Sequence, residues 1–272
     1  MKINHVYLLL FLFTSSVIAQ NFQGVATYKS HRKVNLKMDN KEMSDEMQKQ
    51  IQEQLRKQFQ QEYTLTFNRH ESIYKQEEKL DAPNPVQSGI TIKVSQGSDI
   101  LYKNIKDGRF SNKSEIYGKV FLIKDTLTNR KWELVNETKN IGNYTCFKAI
   151  FKDEYTTETF TQEGKIEKIT KPRTTTVWYT PQIPINNGPA QYYGLPGLIL
   201  EMNDGDLTLV CTKIVLNPEE EIEIVEPTKG KVVSQKEFDD IQEKKSNEMM
   251  EQFKTKKGRH ADGDRVMIRV GG

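Results

Sequence analysis

Leu198-Ile199-Leu200-Glu201-Met202-Asn203-Asp204-Gly205-Asp206-Leu207-Thr208-Leu209-Val210-Cys211-Thr212 reads as a β-hairpin, and the rest of the fold is read outward from it. Asp204-Gly205 is a favoured two-residue turn, since the primed turns that match strand twist need residues tolerant of positive φ. Pairing outward sets Met202 opposite Leu207, Leu200 opposite Leu209 and Leu198 opposite Cys211. These six side chains then share one face, and Glu201, Thr208, Val210 and Thr212 share the other. A slip of one residue would turn the apolar set to solvent, so burial specifies the faces.

The period of two recurs upstream, at 25–29, 63–67, 100–104, 119–123, 132–135 and 144–151, the last two flanking a turn around Ile141-Gly142-Asn143. Strand follows strand mostly without helices between, which favours antiparallel pairing, so the fold expected is mainly β and antiparallel. Two segments depart from this. Residues 38–61 space Met43, Met47, Ile51, Leu55 and Phe59 four apart, and residues 235–256 carry Phe238, Ile241, Met249, Met250 and Phe253, both in Lys/Glu-rich surroundings. Each is predicted to be an amphipathic helix whose stripe packs on the sheet or on the other helix; the competing role is a partner-binding or membrane-surface helix.

Lys2, the apolar run 6–13 and Val17-Ile18-Ala19 before Gln20 form a signal-peptide pattern, too short for the roughly 20 residues of a spanning helix. The organisation expected is a signal peptide at 1–19, an antiparallel β domain at 20–233 with the helical insertion 38–61, a helix at 234–257 and a flexible tail at 258–272. Export to the periplasm or cell surface then follows, with no transmembrane segment after cleavage. It also places Cys146 and Cys211 in an oxidising compartment, where a disulfide is expected and two buried thiols are the alternative.

Composition excludes some classes. A net charge of +3 over 272 residues gives no basic excess for nucleic acid, and 11 Tyr with 12 Phe are too many for wholesale disorder. His31, His70 and His260 are scattered, and no nucleophile elbow, metalloprotease helix or phosphate loop occurs, so no metal or cofactor is expected. Glu201, Asp204 and Asp206 lie near one another, but Asn203–Asp206 is already explained as a turn. A glycan- or peptide-directed hydrolase using such carboxylates is therefore the second reading.

The most specific stretch runs Val177-Trp178-Tyr179-Thr180-Pro181-Gln182-Ile183-Pro184, then Asn187-Gly188-Pro189, then Tyr193-Gly194-Leu195-Pro196-Gly197-Leu198-Ile199. Pro196 and Gly197 fit the two central positions of a type II turn, with Gly197 supplying positive φ and Gly194 a close backbone approach. Trp178, Tyr179, Tyr192 and Tyr193 around Asn187 form the candidate binding surface, for a sugar, peptide or porphyrin-like ligand. The structural alternative is a corner that launches a core strand.

With Trp132-Glu133-Leu134 and Ile141–Ala149 upstream, this stretch resembles the GLPGLI family of exported Bacteroidota proteins. No activity is established for that family. Its frequent company of TonB-dependent outer-membrane transporters implies a non-catalytic accessory role, with such a transporter as partner and a small ligand or glycan as the other possibility. The family is also similar to the bowl-shaped N-terminal domain of a bacterial peptide-N-glycosidase, which implies a bowl-like curved sheet or incomplete barrel. Asp125-Thr126-Leu127 resembles the O-glycosylation sequon of such exported proteins, with Thr126 as acceptor.

Overall fold

The computed structural model describes residues 22–33, 46, 60–77, 99–116, 118–160, 166–220 and 222–257. The leader 1–19, the tail 258–272 and, apart from Glu46, Gln60 and Gln61, the expected helix 38–61 lie outside these residues. The strands are β1 (Gly24–Arg32), β2 (Glu62–Phe67), β3 (Glu71–Gln76), β4 (Ile100–Asn104), β5 (Arg109–Ile116), β6 (Lys119–Thr126), β7 (Glu133–Ile141), β8 (Tyr144–Phe160), β9 (Ile166–Thr180), β10 (Leu198–Asn203), β11 (Leu207–Leu216) and β12 (Lys231–Val233), followed by helix α1 (Gln235–Lys257). They form one open sheet in the order β12-β6-β5-β4-β3-β2-β1-β11-β10-β9-β8-β7. Every pairing is antiparallel except the short parallel contact of β12 with β6.

Register assigns two faces. Cross-strand partners project together, so Ala26, Leu65, Tyr74 and Leu101 form one inner row, with Tyr28 and Phe67 beside it. Burying these side chains drives formation of the sheet, at about 1.5–3 kcal/mol for each large one removed from water. Tyr74 stacks on Tyr63 at 5.1 Å and meets Tyr28 edge-on at 6.4 Å.

α1 begins with a capping box: Ser234 N donates to Glu237 Oε2, and Glu237 N to Ser234 Oγ. Gln235 N donates to Asp125 Oδ2, tying the helix start to the end of β6. Phe238 packs edge-on against Phe121 at 5.6 Å, and Ile241 joins the same core, so this part of the helix stripe faces the sheet. Side chains at 249–257, including Met249, Met250 and Phe253, are outside the described set.

Two local expectations are corrected. In the β10–β11 hairpin, Met202 opposes Leu209 and Asn203 opposes Thr208, two residues out from the register expected. The cause is side-chain capping of the turn. Asp204 Oδ1 accepts from Asp206 N and Leu207 N, and Asp204 N donates to Leu207 O, so Gly205-Asp206 are the central pair and Gly205 takes φ 101°. A shift of two preserves the faces, which is why Leu200, Met202, Leu209 and Cys211 are buried as expected.

The second correction concerns the motif glycines, whose roles are exchanged. Gly194 carries the positive φ, 102°, beneath the Trp132 indole. Gly197 is instead the close approach: a Cβ there would overlap the Thr180 carbonyl oxygen and sit 2.5 Å from its carbon and 2.9 Å from Pro181 N.

Candidate functional site

The connection from β9 to β10, residues 181–197, folds back over the inner face. Ile183, Ile185 and Leu195 are buried beneath it. Ile183 O accepts from Leu198 N, and Asn187 O from Ile199 N. A β-bulge between Ile199 and Glu201 leaves Leu200 without a partner on β9, and the Ile199 carbonyl accepts the Tyr28 hydroxyl at 2.8 Å. Lys103, fully buried on β4, donates Nζ to Gly188 O at 2.8 Å and Ala190 O at 2.7 Å. Burial and the nearby Arg130 hold its pKa well below the usual lysine value. Trp132 Nε1 closes the other end on Tyr193 O at 2.8 Å.

The expected binding residues divide between the two faces. Trp178 is half-buried against the main core cluster, with Lys139 Nζ 4.5 Å and Lys148 Nζ 5.9 Å from its ring centre, and Lys139 also pairs with Glu201 at 2.7 Å. Its neighbour Tyr179 lies on the other face of β9, buried in a second cluster with Val177, Leu195 and Ile199 and tilted against Phe147. Consecutive strand residues cannot share a face, so these two do not make one aromatic floor. Asn187 is buried as a loop hinge, its Oδ1 accepting Gly188 N.

A floor does form, from partly different residues. Tyr192 hydrogen-bonds Thr175 and tilts against Trp132 at 6.4 Å, and Trp132 meets Phe151 edge-on at 5.9 Å. The Arg130 guanidinium lies 4.9 Å over the Tyr192 ring and donates Nη1 to Gln191 O at 2.6 Å. Arg173 grips Asp153 with two bonds, Nε to Oδ1 at 2.9 Å and Nη2 to Oδ2 at 2.5 Å, which holds that carboxyl below its ordinary pKa. Apart from the buried Thr175 these side chains are half-buried, as is Tyr193. Arg130, Phe151 and Arg173 escaped sequence reading because they lie far apart in the chain; the β8–β9 ladder sets Phe151 near Arg173, and Arg130 joins them from the segment before β7. Trp132 was legible only as part of the resemblance.

The cysteines correct another expectation. Both are buried free thiols rather than a bridge, each S–H directed at a carbonyl two residues away, on Tyr144 and Lys213. β9 and β10 separate their strands, so although both join one cluster they are not paired neighbours. Burial pushes Cys146 up to about 11 and Cys211 to about 12, the second thiol adding to the latter. Near pH 8 the folded protein therefore holds Cys146 with about a hundredfold less thiolate than an ordinary cysteine. Alkylation should add two labels in denaturant and none in the native state; a non-reduced mass two protons light would restore the bridge.

Thr126 is exposed at the end of β6, its N–H on Asp125 Oδ1 at 2.8 Å. Among the described residues no three His, Cys, Asp or Glu side chains converge, and no helix is long and apolar enough to cross a membrane.

The class this geometry defines is an open, curved antiparallel sheet with its inner face filled by one long loop and one helix. Residues 132–201 match the model of a protein family of unknown function, Porph_ging. The match runs from Trp132, which staples the loop, to Glu201, which pairs with Lys139, and contains the whole motif Gly194–Ile199. No curated protein matches. Two crystal structures of PNGF-II, in space groups C2 and P21, are similar at 14% identity and a TM-score of 0.47, covering 80% and 81% of this chain. The chain spans 32% of those chains.

Proposed function

We propose that the protein is an exported, non-catalytic accessory of the Bacteroidota cell envelope, which binds a ligand or partner through the floor of Arg130, Trp132, Phe151, Arg173 and Tyr192. The observation that carries this is Arg130. Its guanidinium has five N–H donors, yet among the described residues it makes one hydrogen bond, to a carbonyl, and no ion pair. A half-buried cation with spare donors, set on an aromatic ring, suits a carboxylate or hydroxyl brought by a sugar or peptide chain.

The nearby carboxylates support binding over hydrolysis. Asp153 is held by Arg173, Glu201 by Lys139, and Asp204 by the hairpin turn. The first partner to test is an outer-membrane TonB-dependent transporter. Tagged protein recovered from detergent-solubilised envelopes should carry the transporter in near-stoichiometric amount, and Arg130→Glu should lose it while keeping the wild-type circular dichroism. Recovery of the wild type alone, or equal recovery with the variant, would overturn the reading.

A further inference from the structure

The chain between β11 and β12 crosses the outer face as a strap. Asn217 N donates to Gln23 O at its start. At its far end Glu226 is gripped by Arg109 Nη1 at 2.9 Å, Ser111 Oγ at 2.5 Å and Lys124 at 3.4 Å. Gly230, at φ 130°, then seats on the backbone of Phe121 and Leu122 and hands the chain to β12. Between these anchors residues 222–229 make no backbone–backbone hydrogen bond among the described residues. Beneath them lies a cleft of about 410 Å³.

Its two walls have a consistent chemistry. On the sheet side, register sets Lys75, Ile100 and Lys113 in one row across β3, β4 and β5, with Ile73 in the next row. On the strap side stand Val225, 57% exposed, Pro227 and Lys229. None of Lys75, Lys113 and Lys229 has an ion-pair partner among the described residues, whereas Glu226 is fully engaged by its own three. Glu223 is the one carboxylate in the cleft without a partner, so the open charge is an excess of two positives.

We propose that this cleft is a binding site for an aliphatic carboxylate, a fatty-acid-like anion. Its chain lies between Ile73 and Ile100 on one side and Val225 and Pro227 on the other, and its carboxylate meets Lys75 and Lys113. The volume falls in the range of small-molecule sites, where apolar walls supply affinity and a few placed charges supply orientation. Ile100 stands between the two lysines in the same row, so a chain laid on it brings its head group within reach of both. The site is on the face opposite the Arg130–Tyr192 floor and does not depend on the function proposed for that floor.

The test is calorimetric titration of the full exported chain with decanoate, below its micelle concentration, against decyltrimethylammonium and acetate. Saturable one-to-one binding of decanoate alone is expected, weakened at least tenfold in Lys75→Gln/Lys113→Gln and unchanged in Arg130→Glu. Equal binding of the cationic surfactant would mean apolar adsorption without recognition and would overturn the proposal. So would decanoate affinity unaltered in the double lysine variant, or no saturable binding. Both lysines are on the outer surface, so the double variant is expected to fold, and an unchanged melting temperature without ligand verifies this.

Discussion

Gly197→Ala should lower the stability of the fold by about 3 kcal/mol and its urea midpoint with it. The added methyl enters the Thr180 carbonyl and the Pro181 nitrogen, which are backbone atoms at the very point where β9 ends and the loop begins. A flexible side chain could yield there; backbone fixed on both sides cannot. Leu198, next in sequence, pairs with Thr180 and donates its N–H to Ile183 O, so relief of the clash must move β10 away from β9 or lift the loop. Overpacking of this kind costs about 3 kcal/mol where nothing can give, a large share of a domain's stability. Gly205→Ala is the control. That glycine also has an unusual backbone, at φ 101°, but a Cβ there meets nothing within 4 Å, so the penalty is the conformational strain alone, about 1 kcal/mol. Soluble yield and urea midpoints of the two variants would check the order. Equal midpoints would mean that the Gly197 contact relaxes freely.

The contrast between these glycines shows what the sequence could carry. Apolar and β-branched runs at 25–29, 63–67, 100–104 and 119–123 identified strands, and β1, β2, β4 and β6 contain them; β1 and β2 bury alternate residues, whereas β4 and β6 bury consecutive ones. β5 escaped, since Arg109–Ile116 reads Arg-Phe-Ser-Asn-Lys-Ser-Glu-Ile, with serines buried where apolar residues would have marked the core. The long β9 escaped because Pro172 interrupts it. Proline is tolerated there because β10 begins to pair only at Thr176, which leaves Pro172 on an open edge.

The hexapeptide was legible as a turn but not in its division of labour. Which glycine needs positive φ and which needs space depends on Trp132 and Thr180, whose positions only the tertiary structure supplies. The same holds for the site. Trp178 and Tyr179 looked like one surface because they are adjacent, and adjacency in a strand is what sends them to opposite faces. The floor of Trp132, Phe151 and Tyr192 and the cleft under the strap are both made by pairing across strands and by chain crossing a face. Local pattern contains neither.

Lys103→Met should destabilise the fold by about 2 kcal/mol and change its pH response. The methionine fills most of the volume but leaves the carbonyls of Gly188 and Ala190 without their donor, and an orphaned buried acceptor costs about 1–3 kcal/mol. Part of that loss is returned, because an ammonium no longer has to be kept in the interior beside Arg130. The pH dependence separates these two effects. Burial lowers the folded pKa of Lys103 below its ordinary 10.5, so between the folded and unfolded values the unfolded chain binds more protons. Stability therefore rises with pH through that window, is complete above the unfolded value, and falls as pH drops toward the folded value. The raised thiols and the buried Tyr28 act in the opposite sense at alkaline pH, but they are common to both proteins and cancel in the difference. Wild type minus Lys103→Met should thus grow in favour of wild type as pH rises toward 10.5. Thermal melts at half-unit intervals would measure it. Parallel curves would mean that the lysine reaches solvent and that the loop over the inner face is held by Tyr28, Trp132 and packing alone.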